Sequence, residues 1–81
     1  MNIYIKLFPP LKFPDGQKIR QFEVEDGATV DTLMEHVAGE RDFLRYGLES
    51  MIFIIENTMV EKHHILKDGQ VVEVLLHICG G

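Results

Sequence analysis

The chain has 81 residues, of which 8 are Lys or Arg and 13 are Asp or Glu, giving a formal net charge of −5. A single domain of that length folds to a radius of gyration of about 12 Å, and a ligand pocket of roughly 300–1,000 Å³ would consume much of its interior; an enzyme with a deep enclosed site is excluded. The hydrophobic share of 46% fits a globular domain and excludes a disordered one. The basic residues are scattered singly from Lys6 to Lys67. Nucleic acid is therefore excluded as a partner, because phosphate contacts need clustered Lys and Arg. The acidic balance suits docking to a basic protein surface, weakened by salt. Cys79 is the only cysteine, so neither an internal disulfide nor a cysteine zinc cluster can form. The longest apolar runs, Met51–Ile55 and Val74–Leu76, are too short to cross a membrane. The first residues read directly into a strand pattern with no signal core. The expectation is a reduced, cytoplasmic protein with no membrane role.

Residues Ile3 to Phe8 alternate, with Ile3, Ile5 and Leu7 on one side and Tyr4, Lys6 and Phe8 on the other, as in a half-buried strand. Pro9-Pro10 stop it, since proline offers no N–H to a ladder. Pro14-Asp15-Gly16 marks a turn, and a second strand is expected over Gln17–Val24. The spacing from Ile19 to Phe22 breaks period 2 and predicts a bulge or a shifted start. Thr29 is a candidate helix N-cap, with Asp31 in the first turn and Val30, Leu33, Met34 and Val37 forming one face. Gly39 suits the helix end, and a further helical turn using Phe43 and Leu44 is expected before Gly47. His36 falls on the polar side of the helix. Met51–Ile55 reads as a central strand buried on both sides, Glu56-Asn57-Thr58 as a turn, and Met59–Glu61 as a short strand. Lys67-Asp68-Gly69-Gln70 is another turn, and the last strand is expected over Val71–Ile78. On that strand Val72, Val74, Leu76 and Ile78 share one face, and Val71, Glu73, Leu75, His77 and Cys79 the other.

The order β-β-α-β-(β)-β implies an α+β fold, a mixed four- to five-stranded sheet grasping one main helix. One helix covers only one face of such a sheet. The chain divides into a domain over 1–78 and a flexible tail over 79–81. Two closing glycines add nothing to a strand, costing backbone entropy and packing no side chain. They suit an extended tail that threads a narrow channel in another protein, ending in an unhindered carboxylate. That carboxylate is ionised at neutral pH and reacts only after activation, for instance by adenylation. The alternative is a frayed terminus with no chemistry.

Four stretches carry a resemblance: Ile3–Phe8, Gly27-Ala28-Thr29-Val30, Leu66 through Val72, and Ile78-Cys79-Gly80-Gly81. Their order and spacing resemble the ubiquitin-like β-grasp sulfur carriers of the MoaD/ThiS family, which include the small subunit of molybdopterin synthase and the thiamine sulfur carrier. The resemblance implies that a ubiquitin-activating-like adenylyltransferase uses ATP to adenylate Gly81. A persulfide sulfur donor then converts the acyl-adenylate to a thiocarboxylate. The thiocarboxylate gives its sulfur to a partner synthase, with Gly80, Cys79 and Ile78 threading beside it. It also implies a carrier and not an enzyme, with no bound cofactor and no metal. The longer segment Glu40–Ser50 points to the molybdopterin type and its large-subunit partner. A thiamine-type, tRNA-thiolating or cysteine-forming carrier, and a β-grasp protein modifier or interaction module, stay open. Many family members carry an Asn-Gly pair where this chain has Glu56-Asn57-Thr58, an acidic residue after the Asp-Gly where it has Gln70, and a small inert residue where it has Cys79.

Two further sets of residues bear on function. Tyr4 and Phe8 on the first strand and Val71, Leu75 and His77 on the last face away from the expected core. If the two strands are neighbours they make one partner interface, provided that segment 40–50 does not cover it. His77 and Cys79 could offer two metal ligands, while adjacent His63 and His64 would point to opposite sides of a strand; zinc needs three or four convergent ligands.

Overall fold

The protein is described by a computed structural model, which covers residues 1–9, 11, 13, 15–37 and 50–77. Among these, five strands and one helix follow the order β1 (Asn2–Leu7), β2 (Ile19–Glu23), α1 (Val30–Val37), β3 (Met51–Ile55), β4 (Thr58–Val60) and β5 (Val71–Leu76). The strands form one mixed sheet in the order β2-β1-β5-β3-β4. β1 and β5 pair in parallel, and the other three pairings are antiparallel. Among the described residues, the expected α+β sheet packed on one helix is what forms. The expected helical turn at Phe43 and Leu44, the helix end at Gly39 and the tail Ile78-Cys79-Gly80-Gly81 lie outside the described residues.

The alternation read from β1 decides the core. Ile3, Ile5 and Leu7 are fully buried, as are Val72 and Val74 beside them. Met51, Phe53 and Ile55 extend the same layer from β3. Against it lies the apolar face of α1, where Val30, Leu33, Met34 and Val37 are all buried. Each such side chain contributes about 1.5–3 kcal/mol on leaving water. Leu11 and Phe13, from the segment between β1 and β2, close one side of this core. Phe13 stacks at 6.1 Å on Phe22 and carries the Arg20 guanidinium 4.4 Å above its ring.

The start of α1 is fully hydrogen-bonded. Four amides at a helix start have no partner within the helix. Here Val30 N–H donates to the His64 carbonyl and Asp31 N–H to that of Lys62. Thr32 N–H donates to Thr29 Oγ1 at 3.2 Å, the expected N-cap, and Leu33 N–H to the Thr29 carbonyl. A single bridge between Thr29 and Ile65, with Leu66 N–H donating to the Ala28 carbonyl, ties the crossing loop to the helix entry. His63 and His64 therefore belong to a turn in this loop and not to a strand.

Three expectations are corrected. β2 pairs with β1 in unbroken register from Asn2↔Glu23 to Lys6↔Ile19, so of the two expected alternatives the bulge is absent and the shifted start is found, at Ile19 and not Gln17. The broken period arises because Ile19 faces outward, half exposed, while Arg20 occupies the inward position and lays its guanidinium over Phe13. β3 is an interior strand as expected, between β5 and β4, but it buries only one face, with Ile52 and Ile54 half-buried on the other. The described last strand ends at Leu76, and β4 runs from Thr58 to Val60, one residue earlier than expected.

The β3–β4 connection is a two-residue hairpin loop in which Glu56 and Asn57 both take positive φ, 51° and 64°. Such a turn matches strand twist but favours Asn-Gly, and a left-handed glutamate is strained by about 1–2 kcal/mol. The double substitution Glu56→Asn/Asn57→Gly is expected to stabilise the protein by about 1 kcal/mol, raising Tm by about 4–8 °C, as read by a thermal melt.

The turn before β2 is held by charge. The Gln17 N–H donates to Asp15 Oδ1 at 3.0 Å and Arg20 Nη2 to Oδ2 at 2.7 Å. The backbone donor first, and then Arg20, hold the Asp15 carboxyl below its ordinary 3.8. A carboxyl depressed in the folded state stabilises above its unfolded pKa and loses that contribution as pH falls through the folded value. An NMR acid titration is expected to place the Asp15 midpoint below 3.8, and Arg20→Ala to move it upward.

Candidate functional site

The parallel register of β1 and β5 assembles the outward residues of the two strands into one surface. Tyr4 stands beside Val71 and Lys6 beside Glu73. Phe8 N–H donates to the Val74 carbonyl at 3.1 Å, which brings Phe8 alongside Leu75. The expected juxtaposition of Tyr4, Phe8, Val71 and Leu75 is thus present. His77 follows on the exposed end of the strand, where its N–H donates to the Ser50 carbonyl. Val71 is 39% exposed, whereas Val72 beside it is fully buried.

The surface is wider than the sequence implied. Leu75 pairs with Ile52 and Glu73 with Ile54, and Ile54 in turn pairs with Met59, which is 69% exposed. On the other side Ile19 pairs with Lys6. Ile52 and Ile54 were missed because an unbroken apolar run hides which of its residues face outward. The signal that could have found them is the one main helix read from the sequence, which covers a single face of the sheet and so leaves alternate residues of β3 on the other.

Two charges sit in the middle of this apolar face. Lys6 Nζ lies 5.3 Å from the centre of the Phe8 ring. The ion pairs among the described residues are Arg20–Asp15 and the Met1 ammonium with Asp26, so Lys6 and Glu73 are neighbours without a direct bridge. The question of cover by segment 40–50 falls outside the described residues, as do Ile78, Cys79, Gly80 and Gly81.

The interior offers no chemistry of its own: among the described residues no polar or charged side chain is buried. No group of three or more His, Cys, Asp or Glu there could hold a metal. His36 is exposed on the helix. A recess of about 400 Å³ at the start of β5 is lined by Glu56, Asp68, Gly69 and Glu73 among others, and it is open to solvent. No helix among the described residues is long and apolar enough to cross a membrane.

Comparison with known proteins fits this geometry. The model of the ThiS family matches residues 5–81. No curated protein sequence matches the chain. Among solved structures, SAMP1 from Haloferax volcanii superposes with a TM-score of 0.79 at 17% identity, covering 100% of both chains. A putative molybdopterin converting factor subunit 1 from Pyrococcus furiosus gives 0.79 at 22% identity, covering 95% of this chain and 98% of that one. A complex of subunits 1 and 2 of the molybdopterin-converting factor from Helicobacter pylori gives 0.69 at 21% identity, covering 100% of both chains. At these identities the likeness shows a shared ubiquitin-like β-grasp fold.

The division of the sheet into a core face and an outer face can be checked with one substitution at adjacent positions. Val72→Thr places a hydroxyl in the core and is expected to cost about 1–3 kcal/mol, whereas Val71→Thr is expected to stay within about 0.5 kcal/mol. Denaturant titration of the two variants measures the contrast.

Proposed function

This chain belongs to the ThiS family, and from that membership we propose that it is a sulfur carrier acting through a thiocarboxylate on Gly81. The observation that carries the reading is the reach of the family match, which runs through the C-terminal Gly-Gly. The apolar outer face supports it, since a carrier without interior chemistry must work by docking. An activating enzyme of the ubiquitin-activating type adenylates the Gly81 carboxylate at the expense of ATP. The outer sulfur of a persulfide donor then displaces AMP to form an acyl disulfide, and a second thiol cleaves this to the thiocarboxylate with formation of a disulfide on the donor; Gly80, Cys79 and Ile78 adjoin the reacting end in the sequence. The chain itself acts as a co-substrate and not as an enzyme, in the reducing cytoplasm. It binds no cofactor, metal, nucleic acid or membrane.

Molybdopterin synthesis is the pathway we favour. Two of the structural neighbours are a putative subunit 1 of the molybdopterin converting factor and a complex of that factor's subunits 1 and 2. The partner is accordingly a large synthase subunit that receives the tail in a channel and covers Tyr4, Phe8, Val71, Leu75 and His77. A second reading, a protein modifier whose tail forms an amide, draws on the likeness to small archaeal modifier protein 1 of H. volcanii, at 15% identity.

Intact-mass spectrometry separates the two. Co-expression with the activating enzyme and a persulfide donor is expected to exchange one oxygen for sulfur within the C-terminal peptide, and deletion of Gly81 to abolish the exchange. An unchanged mass, with the chain recovered as an amide on lysines of other proteins, would replace the carrier with the modifier.

A further inference from the structure

One row of residues crosses the whole outer face. From edge to edge it reads Ile19, Lys6, Glu73, Ile54, Met59, each paired with the next across β2, β1, β5, β3 and β4. Four of these five residues are their own complement about the boundary between β1 and β5, and Met59, on the far edge, has no counterpart. Reflection across that line exchanges Lys6 with Glu73 and Ile19 with Ile54. In the neighbouring row it exchanges Tyr4 with Val71. A second copy turned over about an axis along this boundary would meet the first with cation on anion and apolar on apolar. An axis across the strands would instead set Lys6 on Lys6 and Glu73 on Glu73.

We propose that two copies of this chain associate face to face through the outer surface of the sheet, about a two-fold axis that runs along the boundary of β1 and β5. Such an interface is isologous: Lys6 of each copy meets Glu73 of the other, in two equivalent contacts. Stacked sheets of this kind lie about 10 Å apart with strands within about 30° of alignment. The axis keeps the strands of the two copies in the same sense, so both C-termini emerge at one end. The four strands that overlap across this axis, about 4.8 Å apart and about 20 Å long, give a footprint of roughly 400 Å², with β4 of each copy overhanging. A stable interface takes about 800 Å² from each partner, so the pair is weak and reversible. The proposal stands apart from the sulfur chemistry; only its consequence, that a synthase docking on the same face displaces the second copy, rests on the function proposed above.

Sedimentation equilibrium of the full chain at low salt is expected to show a mass rising from monomer toward dimer between about 10 µM and about 1 mM, the range of weak complexes. Lys6→Glu alone, or Glu73→Lys alone, sets like charges across both contacts and is expected to weaken association at least about tenfold. An equimolar mixture of the two variants restores opposite charges at both contacts and is expected to associate. Circular dichroism checks that each variant is folded. A second measurement needs no variant: amide shifts of the unmodified chain that change with concentration should map to Ile19, Lys6, Glu73 and Ile54. A monomer at 1 mM, a folded mixture that stays monomeric, or shifts confined to α1 would each overturn the proposal.

Discussion

The parallel pairing of β1 with β5 is the constraint on which the rest of this structure depends. It joins segments nearly seventy positions apart, Tyr4↔Val71 to Leu7↔Val74, so no local propensity can form it. Loop closure over that distance must be offset by burial, and the two strands supply it with Ile3, Ile5, Leu7, Val72 and Val74. The turn before β5 fixes the register at its start. Asn2 N–H donates to Asp68 Oδ1 at 2.7 Å, and Gly69 N–H to the Asn2 carbonyl at the same length. Gly69 holds φ at 84°, which a residue with a Cβ adopts only with strain. Once β1 and β5 are joined, β2 and β3 can add only at the outer edges of this pair, each antiparallel.

The helix is held by the same logic applied to polar groups. A single short helix is marginal in water and takes most of its stability from packing. α1 lays its apolar stripe on the sheet, but its first amides would face the loop that leads from β4 to β5. That loop supplies the His64 and Lys62 carbonyls to them. The crossing segment thus needs no regular structure to be specified, because the helix start dictates where its carbonyls must lie. Its side chains then divide between core and solvent: Ile65 is 61% exposed while Leu66, the next residue, is buried in the core.

What the sequence revealed follows from the range of the interactions. Alternation in β1, the N-cap Thr29 and the stripe Val30, Leu33, Met34 and Val37 are local signals, and the structure agrees with each. Strand order is not local. The apolar run Met51–Ile55 was legible as an interior strand, but its composition hid that only one of its faces is buried, and nothing local placed it between β5 and β4. The outward position of Ile19 was illegible for a related reason: an arginine took the inward slot, using its planar cation on the Phe13 ring instead of an aliphatic side chain. The interface residues Tyr4, Phe8, Val71 and Leu75 were readable because they needed only parity within each strand. Ile52, Ile54 and Met59 needed the pairing as well.

The two faces of the sheet consequently answer to different rules. On the helix side, every described core residue is apolar, and the layer is filled from sheet to helix. On the outer side the same strands carry residues large enough to fill a second core, but Lys6 and Glu73 interrupt them at the centre. A charge in the middle of an apolar face lowers the gain from indiscriminate association, because an unmatched partner must desolvate it without compensation. A partner with the opposite charge in the right place loses far less. The pair therefore works as a filter on a surface whose apolar rim supplies the attraction. It also explains why the charges lie on the two central strands, since only there does every contact that covers the face have to cover them too.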